Sequence, residues 1–196
     1  MQIDYNILIA YGGVARKIDK GEFVYHENTM PFYYFQVVSG EIKHFSTNSE
    51  GKELTQGIFK HGQSFGEPSL LLNKPYTSTS QALTDSVIVK IRKEHLLKIF
   101  DDYPDLVRNM MYNFAERILN KSSAFQIWVQ HTPEEKITEF LKKNKQNNIN
   151  GSSPLVNFTR QQIADFTGLR VETVIRTLTR MKIEGKVKIK DRKLYY

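Results

Sequence analysis

Glycine falls at positions 21, 40, 51, 57, 62 and 66 of this 196-residue chain, and the segments between are rich in Phe, Tyr, Val and Ile. Segments so short, aromatic and β-branched read as strands closed by turns, because a helix needs a longer uninterrupted run to propagate. The spacing predicts strands near 22–25, 32–38, 41–47, 52–59 and 86–91, which together build a small sandwich or barrel. Within residues 1–18, Ile3, Ile7, Leu8 and Tyr11 recur at helical spacing, in a pattern that ends near Gly12-Gly13. The aromatics of Pro31-Phe32-Tyr33-Tyr34-Phe35 can line an apolar pocket, although alternating strand aromatics more often form core.

From about residue 93 to 130 the apolar period becomes helical. Val107, Met111, Phe114, Ile118, Phe125 and Val129 form one stripe, and Tyr103, Leu106 and Met110 form a second beside it. A helix apolar on two strips needs two partners. Both strips can pack within one chain, but a small barrel has limited area to cover them, which favours a second copy of the helix as one partner.

Thr132-Pro133-Glu134-Glu135 is a helix start: Thr caps, Pro is tolerated at the first position, and Glu135 completes a capping box. That helix runs into a polar loop at 145–154. The division between domains is placed at 130, giving 1–130 and 131–196, with a long dimerisation helix at about 101–130. Thr159-Arg160-Gln161-Gln162 is a second capping box. Gly168 suits a left-handed turn, and a further helix is expected over 170–184 with Val174, Leu178 and Met181 inward. Small Ala164 permits close crossing, while Leu169 and Val174 fill the angle. Two helices joined this way form a helix-turn-helix whose second helix can enter a major groove.

The exposed residues Arg170, Glu172, Thr173 and Arg176 lie at the N-terminal part of that helix, with Val171 beside them as a further DNA-binding candidate. Arg can pair bidentately with guanine and Glu can accept from cytosine N4. Alternation about the charged turn Asp191-Arg192-Lys193 predicts a terminal hairpin whose Lys188, Lys190 and Lys193 suit phosphates. Charge agrees: residues 131–196 hold 14 Lys and Arg against 7 Asp and Glu, while residues 1–130 hold 14 of each, so all of the +7 lies in the last third. A concentrated basic surface is the footprint of a polyanion partner.

The composition also excludes. With no Cys there are no disulfides, Cys-bound zinc or Cys-bound iron–sulfur clusters. The five His show no metal-ligand spacing. No nucleophile elbow, P-loop, His-Glu-x-x-His or dinucleotide fingerprint is present, so no enzyme is expected. Neither a signal peptide nor an apolar run of membrane length appears, and a cytoplasmic protein without a membrane partner is expected.

Residues 155–196 resemble the winged helix of the Crp/Fnr transcription regulators. Thr159-Arg160-Gln161-Gln162-Ile163-Ala164 matches its first helix, and Gly168-Leu169-Arg170-Val171-Glu172-Thr173-Val174-Ile175-Arg176 its recognition helix. Where many members have Arg, Val171 stands here, and the Val-Glu-Thr version resembles the Fnr-type branch. That branch commonly has Ser where this chain has Ile175. The resemblance implies Glu172 and Arg176 as base readers, with Arg160 and Gln161 near phosphate. It extends to the N-terminal part, where Val37-Val38-Ser39-Gly40-Glu41-Ile42-Lys43 and Gly62-Gln63-Ser64-Phe65-Gly66-Glu67-Pro68-Ser69-Leu70-Leu71 look like the cyclic-nucleotide-binding domain. The implied fold is α+β: an N-terminal β-roll of the jelly-roll type, a long dimerisation helix and a C-terminal winged helix-turn-helix.

The implied function is sequence-specific regulation of transcription by a homodimer on duplex DNA with two-fold related half-sites, with RNA polymerase as a further candidate partner. The rival is a ligand-binding regulatory module that does not act through DNA. In nucleotide-binding relatives, a Glu at the position of Glu67 holds the ribose and an Arg pairs with the cyclic phosphate. Tyr76 stands at that Arg position, followed by Thr77. Tyr offers one neutral donor, and flexible Lys74 is not a planar fork. The ligand-site candidates are therefore Gly66, Glu67, Tyr76 and Thr77, with Glu67 expected as a cap for nearby amides. No cofactor is expected: cyclic AMP should bind weakly or not at all, and a different ligand, or none, sets the DNA-binding state.

Overall fold

A computed structural model describes residues 3–49, 51, 53–144 and 154–196. Residues 145–153 of the loop expected at 145–154, and the first residue of the strand expected at 52–59, lie outside the described residues. The chain divides into two compact units, Met1–Arg117 and Ile118–Tyr196.

In the first unit, helix α1 (Tyr5–Ala10) starts where the Asp4 carboxylate accepts the Asn6 amide at 2.8 Å. Eight strands follow: β1 (Val14–Ile18), β2 (Phe23–Tyr25), β3 (Tyr33–Ser39), β4 (Ile42–Thr47), β5 (Glu53–Phe59), β6 (Ser64–Phe65), β7 (Thr79–Ala82) and β8 (Ser86–Arg92). They form two antiparallel four-stranded sheets, ordered β1-β8-β3-β6 and β2-β7-β4-β5. Helix α2 (Glu67–Leu72) interrupts the strands after β6.

The alternation of β3 and β8 explains their near-continuous apolar sequences. Phe35, Val37 and Ile88 belong to one core together with Ile42 and Phe65. Tyr34, Val89 and Ile91 belong to another with Leu8, Leu96 and Ile99. A strand buried on both faces loses the polar half of its pattern. In the aromatic run at 31–35, Tyr34 and Phe35 are core and Phe32 is exposed.

Three strands escape the sequence pattern for physical reasons. β1, paired along its length with β8, buries only Ile18 and lies at a sheet edge. β6 is two residues long. β7 buries small Ser80 and Ala82, which carry little apolar signal.

The helical stretch expected from about 93 to 130 is two helices, α3 (Lys93–Asp102) and α4 (Pro104–Val129), the second lying where the long helix is expected at about 101–130. Pro104 disfavours helical geometry in the residue before it, and Tyr103 sits at φ −131°, ψ 73°. On α4, Leu106 and Met110 pack into the first unit's core. Of the other stripe, Phe114 also packs there, whereas Val107, Met111, Ile118, Phe125 and Val129 are exposed.

The second unit contains α5 (Pro133–Lys143), α6 (Arg160–Thr167), α7 (Val171–Ile183), β9 (Lys188–Lys190) and β10 (Lys193–Tyr195). Its core joins Ile137, Phe140 and Leu141 of α5 to Ile163, Ala164, Val174, Leu178 and Met181. Burying side chains of that size contributes about 1.5–3 kcal/mol each. Among the described residues, no helix is long and apolar enough to cross a membrane, and no group of His, Asp and Glu could hold a metal ion.

Candidate nucleic-acid interface and effector site

α6 opens on a complete capping box. The Thr159 hydroxyl accepts the Gln162 amide at 3.1 Å, and the Gln162 side chain accepts the Thr159 amide at 2.8 Å. The helix ends at Gly168, whose φ of +70° turns the chain so that the Leu169 amide reaches the Ala164 carbonyl at 3.1 Å. α7 then presents Val174, Thr177, Leu178 and Met181 inward. The opposite side carries Glu172, Arg176, Thr179 and Ile183, at i, i+4, i+7 and i+11, all exposed. Val171 and Thr173 flank this face half-buried, and Arg170 is exposed just before the first turn. Sequence reasoning misses Thr179 and Ile183, although their spacing from Glu172 carries the signal.

β9 and β10 form an antiparallel hairpin in which Lys190 lies opposite Lys193 and Lys188 opposite Tyr195. All three lysines are exposed. The turn residues Asp191 and Arg192 have φ of 49° and 62°. Residues 154–156 border the hairpin through the Val156 amide to the Leu194 carbonyl, 2.8 Å, and the Tyr196 amide to the Pro154 carbonyl, 3.2 Å.

The cations are not equally free. Arg180 donates to Glu134 at 2.7 Å, and Lys186 bonds the other oxygen of the same carboxylate. The Lys186 bond, helped by Arg180, holds the Glu134 carboxyl below the usual range. Arg160 is half-buried, which lowers its affinity for a proton. The Gln161 amide donates to Asp165 at 2.8 Å. Among the described residues, no ion pair engages Arg170, Arg176, Lys188, Lys190 or Lys193.

In the first unit, Gly66 at φ +80° leads into α2 and packs beside the rings of Tyr25 and Tyr76. Glu67 is 1% exposed, and both its oxygens lie 3.2 Å from Nη1 of Arg117 on α4. Nη2 of Arg117 donates to the Ser64 carbonyl at 2.6 Å, and the guanidinium lies 5.3 Å from the Phe59 ring centre. The expected role of Glu67 as a cap for nearby amides is thus replaced, among the described bonds, by an ion pair. Only a partner 50 residues distant in sequence creates it, so no local pattern announces it.

Tyr76 is 4% exposed and stacked on Tyr25, whose hydroxyl bonds Nε2 of His44 at 2.9 Å. Burial pushes both phenols up, so both are neutral at physiological pH. Thr77 and Lys74 are exposed, outside this buried cluster.

The profile of the cyclic nucleotide-binding domain matches residues 15–103, and that of the Crp-like helix-turn-helix domain matches residues 135–195. The chain belongs to the Crp/Fnr family. Members are DNA-binding transcription regulators, and the α+β fold of β-roll, long helix and winged helix-turn-helix is theirs.

The transcriptional activator protein anr of Pseudomonas aeruginosa is 25% identical over 185 residues, 92% of this chain and 75% of its own length. The cyclic AMP receptor protein of Thermus thermophilus is 23% identical over 174 residues, covering 89% and 79%. Two solved structures share the fold: the c-di-GMP responsive global regulator CLP of Xanthomonas campestris and FixK2 of Bradyrhizobium japonicum. The first has a TM-score of 0.83 at 16% identity, covering 97% of this chain and 96% of that one. The second has a TM-score of 0.72 at 20% identity, covering 93% and 91%.

Proposed function

We propose that this Crp/Fnr member acts as a homodimer in the cytoplasm, inserting α7 of each subunit into the major groove of one half-site. The carrying observation is the exposed row Glu172, Arg176 and Thr179, backed by a helix face wholly committed to core. Arg176 and Glu172 read base edges. Arg170, Val171 and Thr173 line the entry of the helix, and Lys188, Lys190 and Lys193 hold phosphates. Arg160 and Gln161, at the start of α6, lie where a helix terminus meets the backbone. The protein has no catalytic role in this reading, and RNA polymerase is the partner of the DNA-bound dimer.

A cyclic nucleotide does not fit the residues present. Its single negative charge needs a cation, and the position that supplies one in nucleotide-binding relatives holds neutral, buried Tyr76. The ribose-holding carboxylate is engaged by Arg117. A β-roll whose ligand position is filled by its own side chains supports DNA binding without a nucleotide effector.

The test separates readers from anchors. Operators selected from random duplexes with the wild-type protein are rebound by variants across a salt series. Arg176→Ala should relax preference at one base pair per half-site by about 1–3 kcal/mol. Lys190→Ala should weaken all sequences alike and lower the salt slope, by about one unit for each phosphate no longer neutralised. Unchanged preference in Arg176→Ala would remove α7 from the groove.

A further inference from the structure

We propose that Ile175 reads thymine through its 5-methyl group, making the groove between α7 and the hairpin a seat for a thymine-bearing strand. The inference rests on α7 lying in the major groove, as proposed above, and adds a base identity to that placement.

Ile175 is 49% exposed, although its neighbours Val174 and Leu178 are buried. It follows Glu172 by three residues and precedes Arg176 by one, in the same N-terminal half of the helix. Its Cα therefore stands at the same depth along the helix as theirs, so a shorter side chain there meets a base edge that comes closer to the backbone. The Thr179 hydroxyl, one turn on, donates back to the Ile175 carbonyl at 2.9 Å. That turns the Thr179 hydroxyl to the backbone and leaves apolar groups, the Ile175 side chain foremost, presented on this flank.

The flank opens on a groove of about 640 Å³ whose lining includes the apolar Ile175, Ile189 and Leu155 and the cations Arg160, Arg192 and Lys193. Three cations among apolar lining residues match a nucleotide strand that brings both phosphates and base edges to the groove. The charges take the backbone, and the apolar residues take the bases.

The chemistry selects the base. Guanine, cytosine and adenine present only donors and acceptors in the major groove, and thymine alone adds a methyl group. Against a branched alkyl side chain, any other edge would lose its water without gaining a partner. A half-exposed isoleucine is covered in this complex only if something apolar meets it there.

The experiment uses the full chain and its selected operator. Each thymine is replaced by deoxyuridine, which removes the methyl and leaves every hydrogen-bonding group in place. Wild-type protein should bind about fourfold more weakly per half-site at one thymine neighbouring the pair read by Arg176, the worth of one buried methyl group. Ile175→Ala should bind the thymine operator as weakly as wild type binds the uracil one, and should no longer distinguish the two. Its thermal unfolding should match wild type, because the side chain is not core. The inference is overturned by uracil substitution that is neutral at every position, by methyl dependence that survives intact in Ile175→Ala, or by a selected operator with no thymine beside the Arg176 pair. If Arg176→Ala keeps its full sequence preference, the placement of α7 fails instead, and that result is read independently of the uracil series.

Discussion

The ring of Tyr76 lies parallel to that of Tyr25, with centroids 3.6 Å apart and planes inclined by 7°. On its own flank Tyr25 packs against Phe35 and Phe65, and its hydroxyl shares a hydrogen bond with His44. A phosphate placed here would have to displace a buried ring and then lie beside neutral phenols. Cyclic AMP and cyclic GMP should therefore give no saturable heat in titration calorimetry at concentrations up to about 1 mM, an affinity worth only about 4 kcal/mol. Tyr76→Arg should restore a charge partner and with it measurable binding. Tyr76→Ala should cost about 3–5 kcal/mol in stability, as for other large aromatics removed from a core. Micromolar binding by the wild-type chain would contradict this account.

Glu67 and Arg117 make a second prediction. The carboxylate is almost wholly buried and the guanidinium only a quarter exposed, so neither charge is well served by water. Removing one partner of such a pair strands the other, at a cost of about 3–5 kcal/mol. Arg117→Met should show that loss in urea denaturation of the first unit. The double variant Glu67→Gln with Arg117→Met should recover most of it. Equal losses in the single and double variants would mean that Arg117 stabilises through Phe59 and the Ser64 carbonyl rather than through charge.

Why the sequence discloses one unit so much better than the other follows from these two relationships. In the helix-turn-helix every determinant is local. Thr159 and Gln162 are three residues apart, Gly168 closes the turn, and Val174, Leu178 and Met181 repeat at helical spacing. Local rules suffice, and the element bounds agree to within a residue. The β-roll is built from pairings such as Val14 with Lys90 and Ile42 with Phe59, which no periodicity records. Its site depends on Arg117 reaching back 50 residues to Glu67 and on Tyr25 meeting Tyr76. The sequence shows that Tyr replaces a cation, but not that the ring fills the space. The same limit hides the pairing of Arg180 and Lys186 with Glu134, which a count of charges treats as free.

The exposed stripe of α4 makes the third prediction. Ile118 is 66% exposed and Met111 67%, a poor state for large apolar side chains on a lone helix. Phe114, by contrast, packs partly into its own unit, so a charge there would also disturb the monomer. Ile118→Glu is the cleaner probe. Sedimentation should show a dimer for the wild type and a monomer for the variant, with thermal stability of the subunit fold changed by less than about 0.5 kcal/mol. Affinity for a two-fold operator should fall at least about tenfold, because each half-site then binds alone. A dimer that persists in Ile118→Glu places the interface elsewhere.

The hairpin turn makes the last. Asp191 and Arg192 both occupy the left-handed region, at φ 49° and 62°, as a two-residue turn of this type demands. Such turns favour Asn-Gly or Asp-Gly, because a side chain there costs about 1 kcal/mol against glycine. Arg192 therefore holds a position where glycine would be more stable, and strain of this kind is tolerated where the side chain serves a function. Its place in the lining of the groove beside α7, one residue from Lys193, suits a phosphate anchor, the function that its removal tests. Arg192→Gly should raise the stability of the second unit by about 0.5–1 kcal/mol, read as a higher melting temperature. The same variant should bind operator and random duplex more weakly in equal proportion, with a shallower salt dependence by about one unit per subunit. Stability and affinity moving together in either direction would show that the turn is held by something other than the geometry described, or that Arg192 does not meet the backbone.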